Sequence, residues 1–170
     1  GLQFFYSKNG RKFLENFKYD FWLDLKINDI PQTALSAIDS LKDLKRCKYI
    51  TVHANGGLEM LKVIKKKSKS INKNLKILGV TILTSLDNKS IKEIGYTKSI
   101  EQLVLKQARL IKKSGCDGIV CSAKEAKMIN KRYKNLFIVT PGIRLPGDSA
   151  NDQSRVCLLY TSDAADDVRG

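Results

Sequence analysis

The chain has 170 residues, of which 42% are hydrophobic and 28% charged, a composition typical of one globular domain. No apolar run approaches the roughly 20 residues that a membrane-spanning helix needs, and the first residues lack the regions of a signal peptide. The net charge of +14 is compatible with nucleic-acid binding, but no aromatic residues are interleaved with the scattered lysines. Composition therefore favours neither a membrane protein nor a nucleic-acid-binding module.

Helices and strands are predicted to alternate along the whole chain. Apolar residues that recur every three or four positions predict helices, and short apolar runs bounded by Gly, Asn or Pro predict strands. In chain order, the predicted elements are a helix at 4–17, a strand at 21–27, a helix at 31–45, a strand at 49–53, a helix at 58–70, a strand at 75–83, a helix at 100–113, a strand at 117–122, a helix at 123–133 and a strand at 136–140.

This alternation predicts βα units with parallel strands. The strands are nearly continuous apolar runs, as expected when helices cover a sheet. No Gly-x-Gly-x-x-Gly follows the first strand, which disfavours a dinucleotide-binding fold. Polar residues gather at the carboxyl ends of the strands, where (β/α)₈ barrels build their active sites. We therefore predict the α/β class and a partial (β/α)₈, or TIM, barrel with about five βα units.

The helix at 31–45 has a predicted start signal. Pro31 suits the first turn of a helix, and either Asn28 or Asp29 could cap it.

The cysteines do not predict a metal site. Cys47, Cys116, Cys121 and Cys157 include no Cys-x-x-Cys pair, and the single histidine, His53, cannot complete a zinc site at these spacings. We expect free thiols and no metal ligands.

The stretch 157–170, CLLYTSDAADDVRG, breaks the composition of the chain because it has no lysine and continues no periodicity. It resembles a translated adapter from sequencing libraries, so a non-native tail is predicted, with a genuine acidic tail as the alternative. The chain also lacks an initiator Met and opens within a predicted element. We predict a partial TIM-barrel domain at 1–156, cut at both ends.

The strand at 21–27 reads FWLDLKI and carries two charged side chains. Side chains two apart on a strand share a face, so Asp24 and Lys26 point away from the apolar residues between them and into the predicted barrel mouth. Asp29 follows the strand. Ionic groups withdrawn from water persist when they are paired or functional. From the residues alone, a self-satisfied ion pair and a catalytic pair are equally acceptable.

The run DLKINDIPQT resembles the Asp-x-Lys-x-x-Asp signature of the orotidine 5'-phosphate decarboxylase family. The blocks VHANGG, GVTILTS, DGIVCSAKEA and VTPGIRLPGDSANDQ resemble the same family in the same order, over nearly all of 1–156. The resemblance implies a cytoplasmic, homodimeric (β/α)₈ barrel with shared active sites. It would decarboxylate orotidine 5'-phosphate to UMP in pyrimidine biosynthesis, without a metal or an organic cofactor.

The resemblance also implies roles for single residues. Asp24, Lys26 and Asp29 match three members of the family's catalytic charged network. Lys26 would protonate the C6 carbanion left when carbon dioxide departs, and Asp24 would sit against the substrate carboxylate and hold Lys26. Asp29 and Thr33 match positions that reach into the partner subunit's site, and Ser122 matches the residue that contacts the pyrimidine.

Pro141, Gly142 and Arg144, in the block PGIR, are further candidates for substrate binding. A loop-shaping role for Arg144 is the alternative. Pro146 stands where many relatives carry a phosphate-contacting Gln. His53 is expected to be a packed residue of the rim rather than a catalytic group.

Several functional residues of the family find no counterpart in this sequence. They are a lysine expected just before Gly1, an aspartate on the first strand and a late arginine that grips the phosphate. We therefore expect the 170-residue chain to be inactive by itself, although its parent would be an enzyme.

Two other functions share features of this sequence. A metal-dependent sugar-phosphate decarboxylase or aldolase of the same barrel superfamily shares the Asp-x-Lys-x-x-Asp signature, but it needs further carboxylates for Mg²⁺. A basic binding module would bind nucleic acid in a salt-dependent manner. We expect a small-molecule substrate and a homodimeric partner, with no nucleic acid and no membrane.

Overall fold

In the computed structural model, residues 1–144 and 157–158 are described. Helices and strands alternate in this part of the chain, with one 3-10 turn at Ala54–Gly56. The elements are α1 (Leu2–Phe5), α2 (Gly10–Glu15), β1 (Phe21–Ile27), α3 (Pro31–Asp39), β2 (Cys47–His53), α4 (Gly57–Ile71), β3 (Lys76–Val80), α5 (Asn88–Glu93), α6 (Ile100–Ser114), β4 (Gly118–Val120), α7 (Ala123–Arg132), β5 (Phe137–Val139), β6 (Ile143–Arg144) and β7 (Cys157–Leu158).

The five strands β1 to β5 form one parallel sheet in sequential order. Each strand returns to the next through one or two helices, which is the connection of a (β/α)₈ barrel. The short strands β6 and β7 pair in parallel to form a second, two-stranded sheet. The predicted α/β class and partial barrel are confirmed. No helix in the described ranges is long and apolar enough to cross a membrane.

The two faces of the sheet bury different side chains. One face packs against the helices and carries the larger apolar cluster, in which Ile50, Ile77 and Ile119 are fully buried. The other face carries a smaller apolar cluster, formed by Leu78, Val80 and Val120 with Tyr49, Leu83 and Val139 packed against it. On β2, Ile50 and Val52 belong to the helix side. Tyr49, Thr51 and His53 therefore share the opposite face, which would be the inside of a barrel.

The prediction of one helix at 4–17 was wrong. The chain forms α1 and α2, separated by a turn in which the Gly10 amide donates to the Ser7 carbonyl at 3.1 Å. A Cβ at Gly10 would collide with the Phe4 carbonyl, so glycine permits the close approach at this break.

Two further predictions near the first crossover helix were also wrong. The helix predicted at 31–45 ends at Asp39, and the residue before its first turn is Ile30, which makes no side-chain cap. Asp29 Oδ1 accepts a hydrogen bond from the Ile30 amide at 2.7 Å instead of capping the helix. Local sequence signals placed the start of this helix well but not its cap.

Cys47, Cys116 and Cys121 are buried and form no disulfide with one another, as predicted. Burial raises the pKa of the Cys47 thiol to about 12 and that of Cys116 to about 11. These thiols are therefore protonated and unreactive near neutral pH.

A buried ion pair joins α4 to the amino ends of β3 and β4. Lys65 Nζ lies 2.5 Å from Asp117 Oδ2, and the side chains of Lys65 and Asp117 are 9% and 20% exposed. The same carboxylate oxygen accepts the Ile77 amide at 2.7 Å. This contact ties together three elements at the end of the sheet opposite the polar rim.

We expect Asp117→Ala to lower the free energy of unfolding by about 3 kcal/mol, because it leaves the buried Lys65 ammonium uncompensated. Urea denaturation followed by circular dichroism measures the change. Glu59→Ala is the control, since it breaks the exposed Lys62–Glu59 pair of 3.1 Å and should cost less than about 1 kcal/mol. Equal losses in the two variants would contradict a structural role for the buried pair.

Candidate active site

The candidate residues follow the carboxyl ends of several strands of the five-stranded sheet. Lys26 lies at the end of β1, His53 ends β2, Ser122 follows β4 and Pro141 follows β5. Because the strands are parallel, these ends meet at one edge of the sheet, the edge that carries the active site in barrel enzymes.

Asp24 and Lys26 form an ion pair at this edge. Lys26 Nζ lies 2.6 Å from Asp24 Oδ2, and the two side chains are 40% and 38% exposed. The pair is therefore more open to solvent than the sequence led us to expect. Exposed ion pairs contribute about 0–1 kcal/mol to stability, so folding energy does not account for two charges in this strand.

The strand that carries this pair is irregular. Leu23 pairs with Ile50 and Ile27 pairs with Val52, so residues 24–26 stand opposite the single residue Thr51. Lys26 has a φ of 51°, in the left-handed region that few residues other than glycine adopt. The bounds predicted for β1 were correct, but the regular alternation assumed within it was not. A bulge of this kind re-aims the side chains it carries.

Thr51 contacts both halves of the bulge. Its hydroxyl lies 2.6 Å from Asp24 Oδ1, and the Lys26 amide donates to the same hydroxyl at 2.9 Å. Thr51 is fully buried. Sequence reasoning missed this residue because a threonine in a strand is ordinary. Its place on the same face as His53 was the available signal.

His53 lies next to Thr51 on the inner face and is buried, as predicted for a packed rim residue. Its Nδ1 accepts a hydrogen bond from the Asn55 amide at 3.3 Å. Burial lowers the pKa of His53, and the positive charge of Lys26 lowers it further. The imidazole is therefore neutral near pH 7.

Asp29 and Thr33 lie on the exposed side of the loop after β1 and the first turn of α3. Together with Lys26, they line a cleft of about 360 Å³ whose other wall includes Leu2 and Tyr6. The structure thus brings Lys26, Asp29 and Thr33 to one cleft of the same chain.

Ser122 follows β4 and is fully buried. Its amide donates to Glu125 Oε2 at 2.8 Å, which fixes the start of α7. Its Oγ faces the Glu125 amide in a capping box, but it makes no hydrogen bond of good geometry among the described residues. A buried hydroxyl without a partner costs about 1–3 kcal/mol, so a ligand that supplied one would gain that energy.

The remaining candidates lie after β5. Pro141 is exposed, and Gly142 has a φ of 81°, which favours glycine at this turn. Arg144 belongs to β6. Pro146 lies outside the described residues, as does the predicted tail except for Cys157–Leu158.

The donor groups of this rim do not form a metal site. Within residues 1–144, no three His, Cys, Asp or Glu side chains are grouped so that they could hold a metal ion.

Comparison with known proteins establishes the family. A model of the Orotidine 5'-phosphate decarboxylase / HUMPS family matches residues 1–167. The chain belongs to this family. The match overlaps the stretch 157–170, and the domain boundary proposed there stays a prediction.

Relatives and solved structures agree with this assignment. The orotidine 5'-phosphate decarboxylase of Staphylococcus epidermidis is 42% identical over 161 residues, which cover 92% of this chain and 69% of that protein. The enzyme of the same name from Erythrobacter litoralis is 37% identical over 158 residues, with the same two coverages, 92% and 69%.

Among solved structures, the orotidine 5'-phosphate decarboxylase of Lactobacillus acidophilus superposes with a TM-score of 0.70 at 35% identity, covering 74% of this chain and 58% of that one. An uncharacterised conserved protein from Geobacillus kaustophilus gives a TM-score of 0.75 at 30% identity, covering 83% and 69%. The chain thus spans 58% to 69% of the length of these relatives.

Solution experiments on activity use a completed chain. In it, the parts of the Staphylococcus epidermidis relative that this chain does not cover are joined to the present sequence. The completed chain serves as parent for the variants below.

His53 should make the stability of the completed chain depend on pH. Its folded pKa lies below the ordinary value of 6.5, so the unfolded state binds the proton more readily, and stability is lost as the pH falls below about 6.5. We expect the parent to lose more unfolding free energy than His53→Gln between about pH 7 and about pH 5.5. Urea denaturation at several pH values measures both curves, and parallel curves would contradict the burial effect.

Proposed function

We propose that this chain forms the greater part of an orotidine 5'-phosphate decarboxylase, which converts orotidine 5'-phosphate to UMP in pyrimidine biosynthesis. The observation that carries the proposal is the Asp24–Lys26 pair, 2.6 Å apart, at the carboxyl end of β1 in a chain of this family. The enzyme would act in the cytoplasm.

Lys26 is the proton donor in the proposed reaction. The bond between C6 of the pyrimidine and its carboxylate breaks, carbon dioxide leaves, and the electron pair stays on C6. The Lys26 ammonium then transfers one proton to C6, which gives UMP, and the neutral amine regains a proton from water.

Asp24 prepares the ammonium for this transfer. Its carboxylate accepts the Lys26 Nζ–H at 2.6 Å and the Thr51 hydroxyl at the same distance. Lys26 is therefore held in place before the carbanion forms. A charge that is already oriented stabilises a developing opposite charge without reorganisation during the reaction.

Other residues would bind the parts of the substrate that do not react. The buried Ser122 Oγ, which has no partner among the described residues, is suited to contact the pyrimidine. Pro141 and Gly142 lie in the turn after β5, and Arg144 follows in β6. We assign these three residues to substrate binding at the same rim.

Asp29 and Thr33 are assigned to a shared site in a homodimer. Both are exposed beyond the end of β1, where a second subunit could reach them. In the alternative arrangement, Asp29 and Lys26 of the same chain belong to one site. The cleft that both residues line supports this alternative.

We predict that the completed chain decarboxylates orotidine 5'-phosphate after thorough metal chelation. We also predict that Lys26→Ala lowers kcat about 1,000-fold or more, because the proton donor is lost. The decrease in ultraviolet absorbance of the substrate measures turnover. Lys48→Ala is the matched control, since Lys48 pairs with Asp20 at 3.5 Å at the other end of the sheet.

Two results would contradict this proposal. Full activity in a folded Lys26→Ala variant would show that the ion pair has a structural role and not a catalytic one. Activity that disappears with the chelator and returns with Mg²⁺ would indicate a metal-dependent sugar-phosphate enzyme of the same superfamily.

We predict that each site takes Lys26 from one subunit and Asp29 from the other. Lys26→Ala and Asp29→Asn should each be nearly inactive alone. In a mixed dimer, one site contains both substitutions and the other site contains neither. Random exchange of equal amounts makes about half of the dimers mixed, and half of the sites in those dimers are intact. About a quarter of the parent activity should therefore return.

Subunit exchange is verified with two affinity tags before activity is measured. If Lys26 and Asp29 of one chain served one site, every site in the mixture would carry a lesion. Mixing would then restore nothing.

A further inference from the structure

Thr51 occupies an unusual position, opposite the bulge that presents the charged pair. Between the pairs Leu23–Ile50 and Ile27–Val52, β1 advances by four residues while β2 advances by two. Thr51 is therefore the single β2 residue that faces the segment 24–26. Thr51 is therefore well placed to hold this segment from the side of the sheet.

The hydroxyl of Thr51 both accepts and donates a hydrogen bond to this segment. An amide can only donate, so the oxygen accepts the Lys26 N–H at 2.9 Å. The single hydroxyl proton then points to Asp24 Oδ1 at 2.6 Å. The other Asp24 oxygen accepts Lys26 Nζ at 2.6 Å. One hydroxyl thus fixes the backbone of the lysine and the carboxylate that orients its ammonium.

The bulge needs such an anchor. A left-handed conformation at a residue other than glycine costs about 1–2 kcal/mol, and Lys26 has a φ of 51°. The exposed ion pair offers little to offset this cost, because its two side chains are 40% and 38% exposed. Thr51, in contrast, is fully buried, so its hydrogen bonds are shielded from competing water.

We propose that Thr51 is a positioning residue for the decarboxylation step, because its hydroxyl holds Asp24 and the Lys26 backbone in the geometry in which the ammonium meets C6. This inference rests on the proposed function. Thr51 itself acts on the two charged residues and not on the substrate.

The test compares Thr51→Val, Thr51→Ser and Thr51→Ala in the completed chain. Valine keeps the shape and removes the hydroxyl, whereas serine and alanine both lose the methyl group and differ only in the hydroxyl. We expect Thr51→Val and Thr51→Ala to lower kcat about 10- to 100-fold, with KM changed less than about threefold, since a misplaced catalytic group costs this much. Thr51→Ser should stay within about threefold of the parent.

Thr81→Val controls for the loss of a buried threonine hydroxyl at the same rim. Thr81 is fully buried, and its Oγ1 donates to the Val120 carbonyl at 3.0 Å rather than to the charged pair. Its kcat should change by less than about threefold. If Thr51→Val does not fold, the comparison of Thr51→Ala with Thr51→Ser isolates the hydroxyl.

Hydrogen exchange at the Lys26 amide gives a readout that needs no turnover. The amide should exchange faster in Thr51→Val than in Thr51→Ser, because only serine keeps its acceptor. Equal kcat in the parent and in the variants without a hydroxyl would overturn the inference. The inference would also be overturned if Thr51→Ser had a kcat as low as that of Thr51→Ala, or if the Lys26 amide exchanged at the same rate with and without the hydroxyl. An inactive parent would instead refute the proposed function, and amide exchange would still decide whether Thr51 holds the bulge.

Discussion

Two opposite charges have to stand side by side on the inner face of a strand whose other face packs against helices. In a regular strand, residues two apart share a face but their side chains run parallel rather than toward each other. The bulge in β1 removes this restriction, because Lys26 adopts a φ of 51° and its Nζ reaches Asp24 at 2.6 Å. Thr51 on β2 contacts both charged residues at this departure from the sheet.

The sequence predicted the elements of this arrangement better than its geometry. The bounds of β1 and the parallel order of the strands follow from apolar periodicity, which reports burial. The bulge does not, because periodicity assumes a regular strand. Thr51 was missed for a related reason. Its hydrogen bond joins residues 27 positions apart in the chain, and no local signal reports such a contact.

The helices were misjudged at their turns and caps, which apolar periodicity does not report. A single helix was predicted at 4–17, yet the close approach of Gly10 to the Phe4 carbonyl allows the chain to turn between α1 and α2. The predicted cap at Asn28 or Asp29 failed because Ile30 takes that position without a side-chain bond. Asp29 stays on the exposed surface.

The polar groups at the two ends of the sheet differ in how completely they are paired. At the amino ends, the Asp117 carboxylate is saturated by Lys65 and the Ile77 amide, which is the pattern of a group that holds a fold together. At the carboxyl ends, Ser122 Oγ has no partner among the described residues and His53 is kept neutral by burial and by Lys26. The Asp24 carboxylate at this rim is paired with a lysine whose side chain is 40% exposed, whereas the lysine that pairs with Asp117 is 9% exposed. The charged pair at the carboxyl ends of the strands is therefore open to solvent, and the pair at the amino ends is enclosed.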